Sequence, residues 1–102
     1  MRTKKLGALE YLEQLRGGPL TFGEMIESLR QTDEISQAEL ARQLNVSRAH
    51  LCDIEKGRRA VPPARAARLA EIMGYPVDVF LAIAIEDELR RAGHPRKVKL
   101  DA

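Results

Sequence analysis

Residues 36–57, SQAELARQLNVSRAHLCDIEKG, spell two short helices joined by a tight turn. Ser36 precedes an apolar-periodic run and Glu39 follows it at the spacing of a capping box, in which each side chain satisfies the other's orphan amide. Ala38, Leu40, Ala41 and Leu44 then give the apolar side, with Ala41 small enough to let a crossing helix approach. Asn45 tolerates the left-handed conformation that ends a helix, and Ser47 stands where it can cap the next one. Val46 and Leu51 flank that cap at the spacing of a hydrophobic staple. Gly57 closes the second helix.

Placing successive residues of the second helix about 100° apart separates its two sides. Leu51 and Ile54 define the buried side, which leaves Arg48, Ala49, Cys52, Asp53 and Lys56 on the other. Those outer side chains have the chemistry of base readout: Arg48 suits a bidentate contact with guanine, Ala49 a thymine methyl, and Asp53 the amino group of cytosine. Charge supports the same surface. The whole chain carries only +2, too little to argue nucleic-acid binding. Residues 48–68, however, carry +4, with Arg48, Lys56, Arg58, Arg59, Arg65 and Arg68 against Asp53 and Glu55. The flanking blocks 19–47 and 69–88 carry −3 and −5. Neutralised phosphates release counterions, so a basic block on this helix and the loop after it is what a phosphate-binding surface requires. A solvated face is the commoner fate of such clusters, and coincidence with the second helix favours the functional reading. Asp53 is the weak point, because it sets a negative charge where DNA is expected.

The pattern Gln-x-x-Leu-Ala, an Asn-Val-Ser turn and Leu-x-x-Ile-Glu-x-Gly closely resembles the helix-turn-helix of the phage repressor and Cro-like family, the xenobiotic-response-element type of regulator. The resemblance runs from about Leu20 to Leu81. It implies an all-α fold of five helices, like the lambda repressor domain, with the helix at 47–56 in the major groove of double-stranded DNA. It places base-reading positions at Arg48, Ala49 and Asp53, and phosphate contacts at Gln37 and Ser47. His50, Lys56, Arg58 and Arg59 lie on the flanks of that surface as further phosphate candidates. The resemblance also implies an ion pair between Arg30, late in the first helix, and Glu55. Removing one partner of such a pair, if buried, costs about 3 kcal/mol.

Outward from this motif, 102 residues suit one domain with a modest core. Residues 1–18 form an extension whose Leu6, Leu9, Leu12 and Leu15 suggest a short helix, ended by Gly17, Gly18 and Pro19. It can pack on the domain, reach DNA with its basic residues, contact a partner, or fray. Within the domain, 19–92, Thr21 and Glu24 make a second capping box ahead of Phe22, Met25, Ile26 and Leu29. That helix is expected to end at Arg30 or Gln31. Pro62 and Pro63 suit the first turn of another helix, whose apolar residues are Ala64, Ala67, Leu69, Ala70, Ile72 and Met73, ended by Gly74.

A final helix over 77–92 is apolar on two arcs: Val79, Phe80, Ile83 and Ala84, then Leu81, Ile85 and Leu89. A helix apolar over that width is normally covered on two sides. The spacing therefore predicts a homodimer through Phe80, Leu81, Ile83, Ile85 and Leu89, unless the leading helix supplies the cover. Residues 93–102, with Arg96, Lys97 and Lys99, read as a basic tail of the kind that is usually disordered.

Several classes are excluded or disfavoured. The chain contains no apolar run long enough to span a membrane and its start lacks a signal peptide's apolar core. A single cysteine makes no internal disulfide and fits a reducing cytoplasm. No Gly-rich phosphate loop or nucleophile–base pairing points to an enzyme, and no cofactor is implied. His50 and Cys52 are too few ligands for a structural zinc site. The expectation is a cytoplasmic regulator, a repressor reading a palindromic operator as a homodimer. The alternatives are an antitoxin that controls its own operon and binds a toxin protein, and a protein-interaction module that kept the fold without reading DNA.

Overall fold

A computed structural model describes residues 20–100. The chain folds there into α1 (Phe22–Thr32), α2 (Gln37–Leu44), α3 (Arg48–Glu55), α4 (Pro63–Met73) and α5 (Val77–Arg91), with no strand among the described residues. This is the expected all-α, five-helix architecture. The helix suggested by Leu6 to Leu15 lies outside the described residues. No helix among the described residues is long and apolar enough to cross a membrane.

Local chemistry sets the helix ends. At α1 the capping box is complete: Thr21 Oγ1 accepts from the Glu24 amide at 3.1 Å, and Glu24 Oε1 accepts from the Thr21 amide at 3.0 Å. At α2 the box expected of Ser36 and Glu39 is only half made. Ser36 Oγ accepts from the Glu39 amide at 3.0 Å, but the Glu39 carboxylate pairs with Arg42. A guanidinium one turn away offers a charge-assisted bond, which is stronger than a neutral amide. Asn45 does end α2 in the left-handed conformation, φ 62°, and Ser47 Oγ caps α3 by accepting from the His50 amide at 3.0 Å. Pro63 opens α4, and Gly74 closes it at φ 80°. The first helix runs to Thr32, one residue beyond the expected range.

The helices pack around one core. Phe22, Met25, Ile26 and Leu29 meet Leu40, Ala41 and Leu44 of α2, Leu51 and Ile54 of α3, and Ala66, Leu69, Ala70 and Met73 of α4. Two sequence expectations fail on angle. Ala38 is exposed, because it sits about 110° from the centre of the stripe made by Leu40, Ala41 and Leu44. On α4 the inner alanines are Ala66 and Ala70; Ala64, about 170° from the buried stripe, faces solvent, and Ala67 lies at its edge.

Phe80 is likewise not available to a partner. It is fully buried in the chain's own core, edge-on to Phe22 with ring centroids 6.0 Å apart and stacked on Tyr75 at 5.7 Å. The Tyr75 hydroxyl donates to Asp33 Oδ2 at 3.3 Å, tying the start of α5 to the turn after α1. The basic tail also departs from the disordered ending expected. It lies back on α5, where the Val98 amide donates to Glu86 Oε2 at 2.9 Å and Val98 is half-buried.

The tightest constraint is a glycine that the apolar pattern of α1 does not single out. Gly23 is buried, and a Cβ added there would lie 2.2 Å from the Ile54 carbonyl oxygen and 2.8 Å from that of Glu55. The backbones of α1 and α3 therefore touch, and no side-chain rotation can relieve a methyl group between them. Gly23→Ala is expected to destabilise the fold by at least about 3 kcal/mol in urea unfolding, the upper range for overpacking.

Burial, with the Asp33 carboxylate beside it, pushes the Tyr75 phenol up to about 12 from its usual 10. The neutral phenol is thus favoured by folding, so its contribution is complete below pH 10 and is lost as pH rises towards 12. Unfolding free energy should fall more steeply across that window in the native chain than in Tyr75→Phe.

Candidate nucleic-acid interface

The outer surface of α3 is built from the inside outwards. Leu51 and Ile54 hold the helix against the core, and Val46 packs beside them at the turn. Glu55 is the buried charge of this face, its side chain wholly inaccessible. An uncompensated carboxylate there would be costly, and three donors meet it. Arg30 Nε donates to Oε2 at 2.7 Å, Arg30 Nη2 to Oε1 at 3.2 Å, and Gln37 Nε2 to Oε1 at 3.0 Å. The hydrogen bond to Glu55 holds the Arg30 guanidinium above its ordinary value, against the opposing effect of burial. Arg30 Nη1 also donates to the Ile35 carbonyl at 2.9 Å, so one side chain fixes both α3 and the turn into α2.

Gln37 carries this order to the surface. Its Oε1 accepts from Arg48 Nε at 3.2 Å, while its Nε2 holds Glu55. Arg48 is exposed, and Ala49 is exposed beside it. The Gln37 amide retains one N–H, and the Ser47 hydroxyl, though it caps α3, retains its own proton. Both keep a donor for a phosphate oxygen.

Asp53 is not the isolated negative charge that the sequence suggested. Arg58 Nε donates to Asp53 Oδ1 at 2.9 Å, and Arg58 Nη2 lies 3.7 Å from Cys52 Sγ. Gly57, at φ +77°, turns the chain so that Arg58 folds back over α3. Arg59 is exposed at the end of the same turn. Lys56 Nζ reaches Glu27 Oε2 at 3.5 Å, an exposed pair that leaves the ammonium able to exchange partners.

His50 sits at the edge of the surface and meets Arg65, which the sequence places in the basic block without a role of its own. Arg65, on the first turn of α4, places Nη1 3.1 Å from His50 Nε2. A guanidinium can only donate, so Nε2 accepts and the proton of the neutral ring is on Nδ1. Desolvation first, then the charges of Arg59 and Arg65, hold the imidazole below its usual value, with Asp53 opposing them. With Nε2 accepting, Nδ1 is the ring's remaining donor at this edge. This contact joins two helices, so spacing along the chain does not reveal it. Arg68 is exposed on α4. Among the described residues no group of three or more His, Cys, Asp or Glu side chains could hold a metal ion.

The arrangement is a short exposed helix presenting Arg48 and Ala49, propped by a preceding helix and flanked by basic residues. Residues 21–81 match the family model described as a helix-turn-helix domain. The chain belongs to the helix-turn-helix DNA-binding family. Among its helix-turn-helix relatives, the HTH-type transcriptional repressor RghR of Bacillus subtilis (strain 168) is 36% identical over 84 residues. That alignment covers 78% of this chain and 62% of RghR, so the chain spans less than two thirds of that relative's length. The fold is similar to the crystal structure of the clp gene regulator ClgR from Corynebacterium glutamicum, with a TM-score of 0.56 and 26% identity. The match covers 71% of this chain and 77% of ClgR.

Proposed function

We propose that the protein is a sequence-specific transcriptional repressor that occupies a palindromic operator as a homodimer, with α3 in the major groove. The observation that carries this reading is the outer face of α3. Arg48 is exposed and oriented by Gln37, and the one carboxylate on that face, Asp53, is matched by Arg58. In this reading Arg48, Ala49 and Asp53 meet base edges, while Gln37, Ser47, His50, Lys56, Arg58 and Arg59 meet the sugar–phosphate backbone. The likeness to a repressor and to a gene regulator supports the same role. The working unit is the domain 19–92, with the extension 1–18 and the tail 93–102 at its ends, acting on DNA in the cytoplasm.

Dimerisation through α5 rests on angle and exposure. Phe80 and Ala84 face inward, whereas Leu81, Ile85 and Leu89 lie about 100° to 180° around the helix from Phe80. All three are only half-buried in the single chain, as is Ile83 on the other flank. A two-fold axis along that stripe sets two copies of α3 to read half-sites about 34 Å apart. Light scattering at micromolar concentration should give the mass of a dimer, and Ile85→Glu, in the middle of the stripe, should return the monomer mass. A native chain that scatters as a monomer would remove the dimer.

Mobility shifts on random and then selected duplexes test readout. Arg48→Ala should cost about 1 to 3 kcal/mol at one base pair and relax preference there. Arg59→Ala should weaken all sequences alike and lower the salt slope by about 0.9. Absence of salt-sensitive binding to any duplex would sink the repressor and favour a protein-interaction module; equal losses on selected and random DNA would remove Arg48 from base readout.

A further inference from the structure

The last turn of α5 carries an arrangement that DNA contact does not explain. Asp87 is buried on α5, yet two cations serve its one carboxylate: Arg90 Nη2 reaches Oδ1 at 3.0 Å and Arg91 Nε reaches Oδ2 at 3.3 Å. One guanidinium would suffice for the charge. Arg91 uses the rest of its fork elsewhere, donating from Nη2 to the Gly57 carbonyl at 2.9 Å, across 34 residues of sequence.

Gly57 is where the chain leaves α3. Its left-handed φ of +77° sends the backbone into the exposed segment Arg58, Arg59 and Ala60 before Val61 returns to the core. On the α3 side this segment is held by the Arg58 amide, which donates to the Asp53 carbonyl at 2.9 Å. On the other side there is a cleft of about 440 Å³ rather than packed apolar surface, lined by Thr21, Glu24, Lys56, Asp87, Arg90 and Arg91 among others. Arg91 bridges that cleft. Between its core anchors at Ile54 and Val61, the loop is thus tied to α5 by a polar latch.

We propose that Arg91 is a positioning residue for DNA binding: held by Asp87, it fixes the Gly57 carbonyl and so presents Arg58 and Arg59 to the phosphate backbone. This rests on the DNA-binding reading above and assigns it a residue outside the recognition surface. The physical gain is preorganisation, since a loop already fixed loses less conformational freedom when phosphate is engaged. Arg91 acts through the loop, and its charge need not touch DNA.

The test uses the full chain and a fluorescein-labelled duplex of mixed sequence, titrated over a salt series. Arg91→Met keeps the aliphatic stem and removes the donors. It should weaken binding about fivefold and lower the salt slope by up to about 0.9, the loss of one phosphate contact. Arg91→Lys, which can still donate to the carbonyl, should recover most of the affinity. In an Arg58→Ala, Arg59→Ala background Arg91→Met should add less than about a twofold loss, because coupled residues are non-additive. Full additivity there would mean that Arg91 meets phosphate directly and would overturn the positioning role, as would native affinity in Arg91→Met.

Hydrogen exchange on the free chain provides a readout that needs no DNA. The Arg58 amide should exchange about tenfold faster in Arg91→Met, with the core amide of Leu29 unchanged, as expected for local opening. Unchanged Arg58 exchange in a chain that binds duplex normally would overturn the latch alone. A native chain that binds no duplex would overturn the DNA reading and, with it, the phosphate role of the latch, whatever the exchange shows.

Discussion

A carboxylate with no access to water has to be met from every side, and Glu55 imposes that condition on three helices at once. It stands on α3, Arg30 reaches it from α1 and Gln37 from α2. Such a site contributes little as a net ion pair, because desolvation offsets much of the attraction, but losing any partner leaves a buried charge exposed to nothing. Its value is therefore geometric. The donors arrive at 2.7 to 3.2 Å only when the helices cross in one arrangement. Gly23 enforces the same arrangement through sterics, since the α1 and α3 backbones meet at its Cα. A polar and a steric constraint thus fix one crossing, and Arg48 is positioned at the end of the chain of hydrogen bonds that runs from Arg30 through Glu55 and Gln37.

Electrostatics on the outer face follow from the same local design. A basic surface gains from counterion release only if its own carboxylates do not repel phosphate. Asp53 and Arg58 form an exposed pair, and exposed pairs are weak enough to be exchanged for new partners. In the proposed reading the aspartate accepts from a base while the arginine turns to the backbone. Desolvation and its basic neighbours hold the His50 imidazole below its usual value, which disfavours a further charge on an already positive edge.

How much of this was legible in the sequence depends on distance along the chain. The caps at Thr21, Ser36 and Ser47 were, because a cap involves residues three apart and its chemistry is local. The left-handed Asn45 was legible for the same reason. The pairing of Arg30 with Glu55 was expected only through family resemblance. Periodicity found the helices but misassigned Ala38, Ala64 and Phe80, because apolar spacing alone does not say where the centre of the buried stripe falls. Gly23 gave no signal: a glycine inside a helix looks like a weakness until the carbonyls opposite it are known. Asp53 with Arg58, His50 with Arg65 and Gly57 with Arg91 were hidden because each depends on a turn or a crossing that sequence spacing does not encode.

The outward side chains of α3 are not independent of the residues that prop them. Replacing Arg48 by a side chain that cannot donate leaves Gln37 Oε1 without its partner, and replacing Asp53 frees Arg58 to pull the loop elsewhere. Contacting residues couple energetically where distant ones add. If α3 reads DNA as proposed, a substitution at 48 also acts on 37 and one at 53 also acts on 58, so altered readout calls for paired changes rather than single ones. The buried residues Leu51, Ile54 and Glu55 are the frame on which those couples stand.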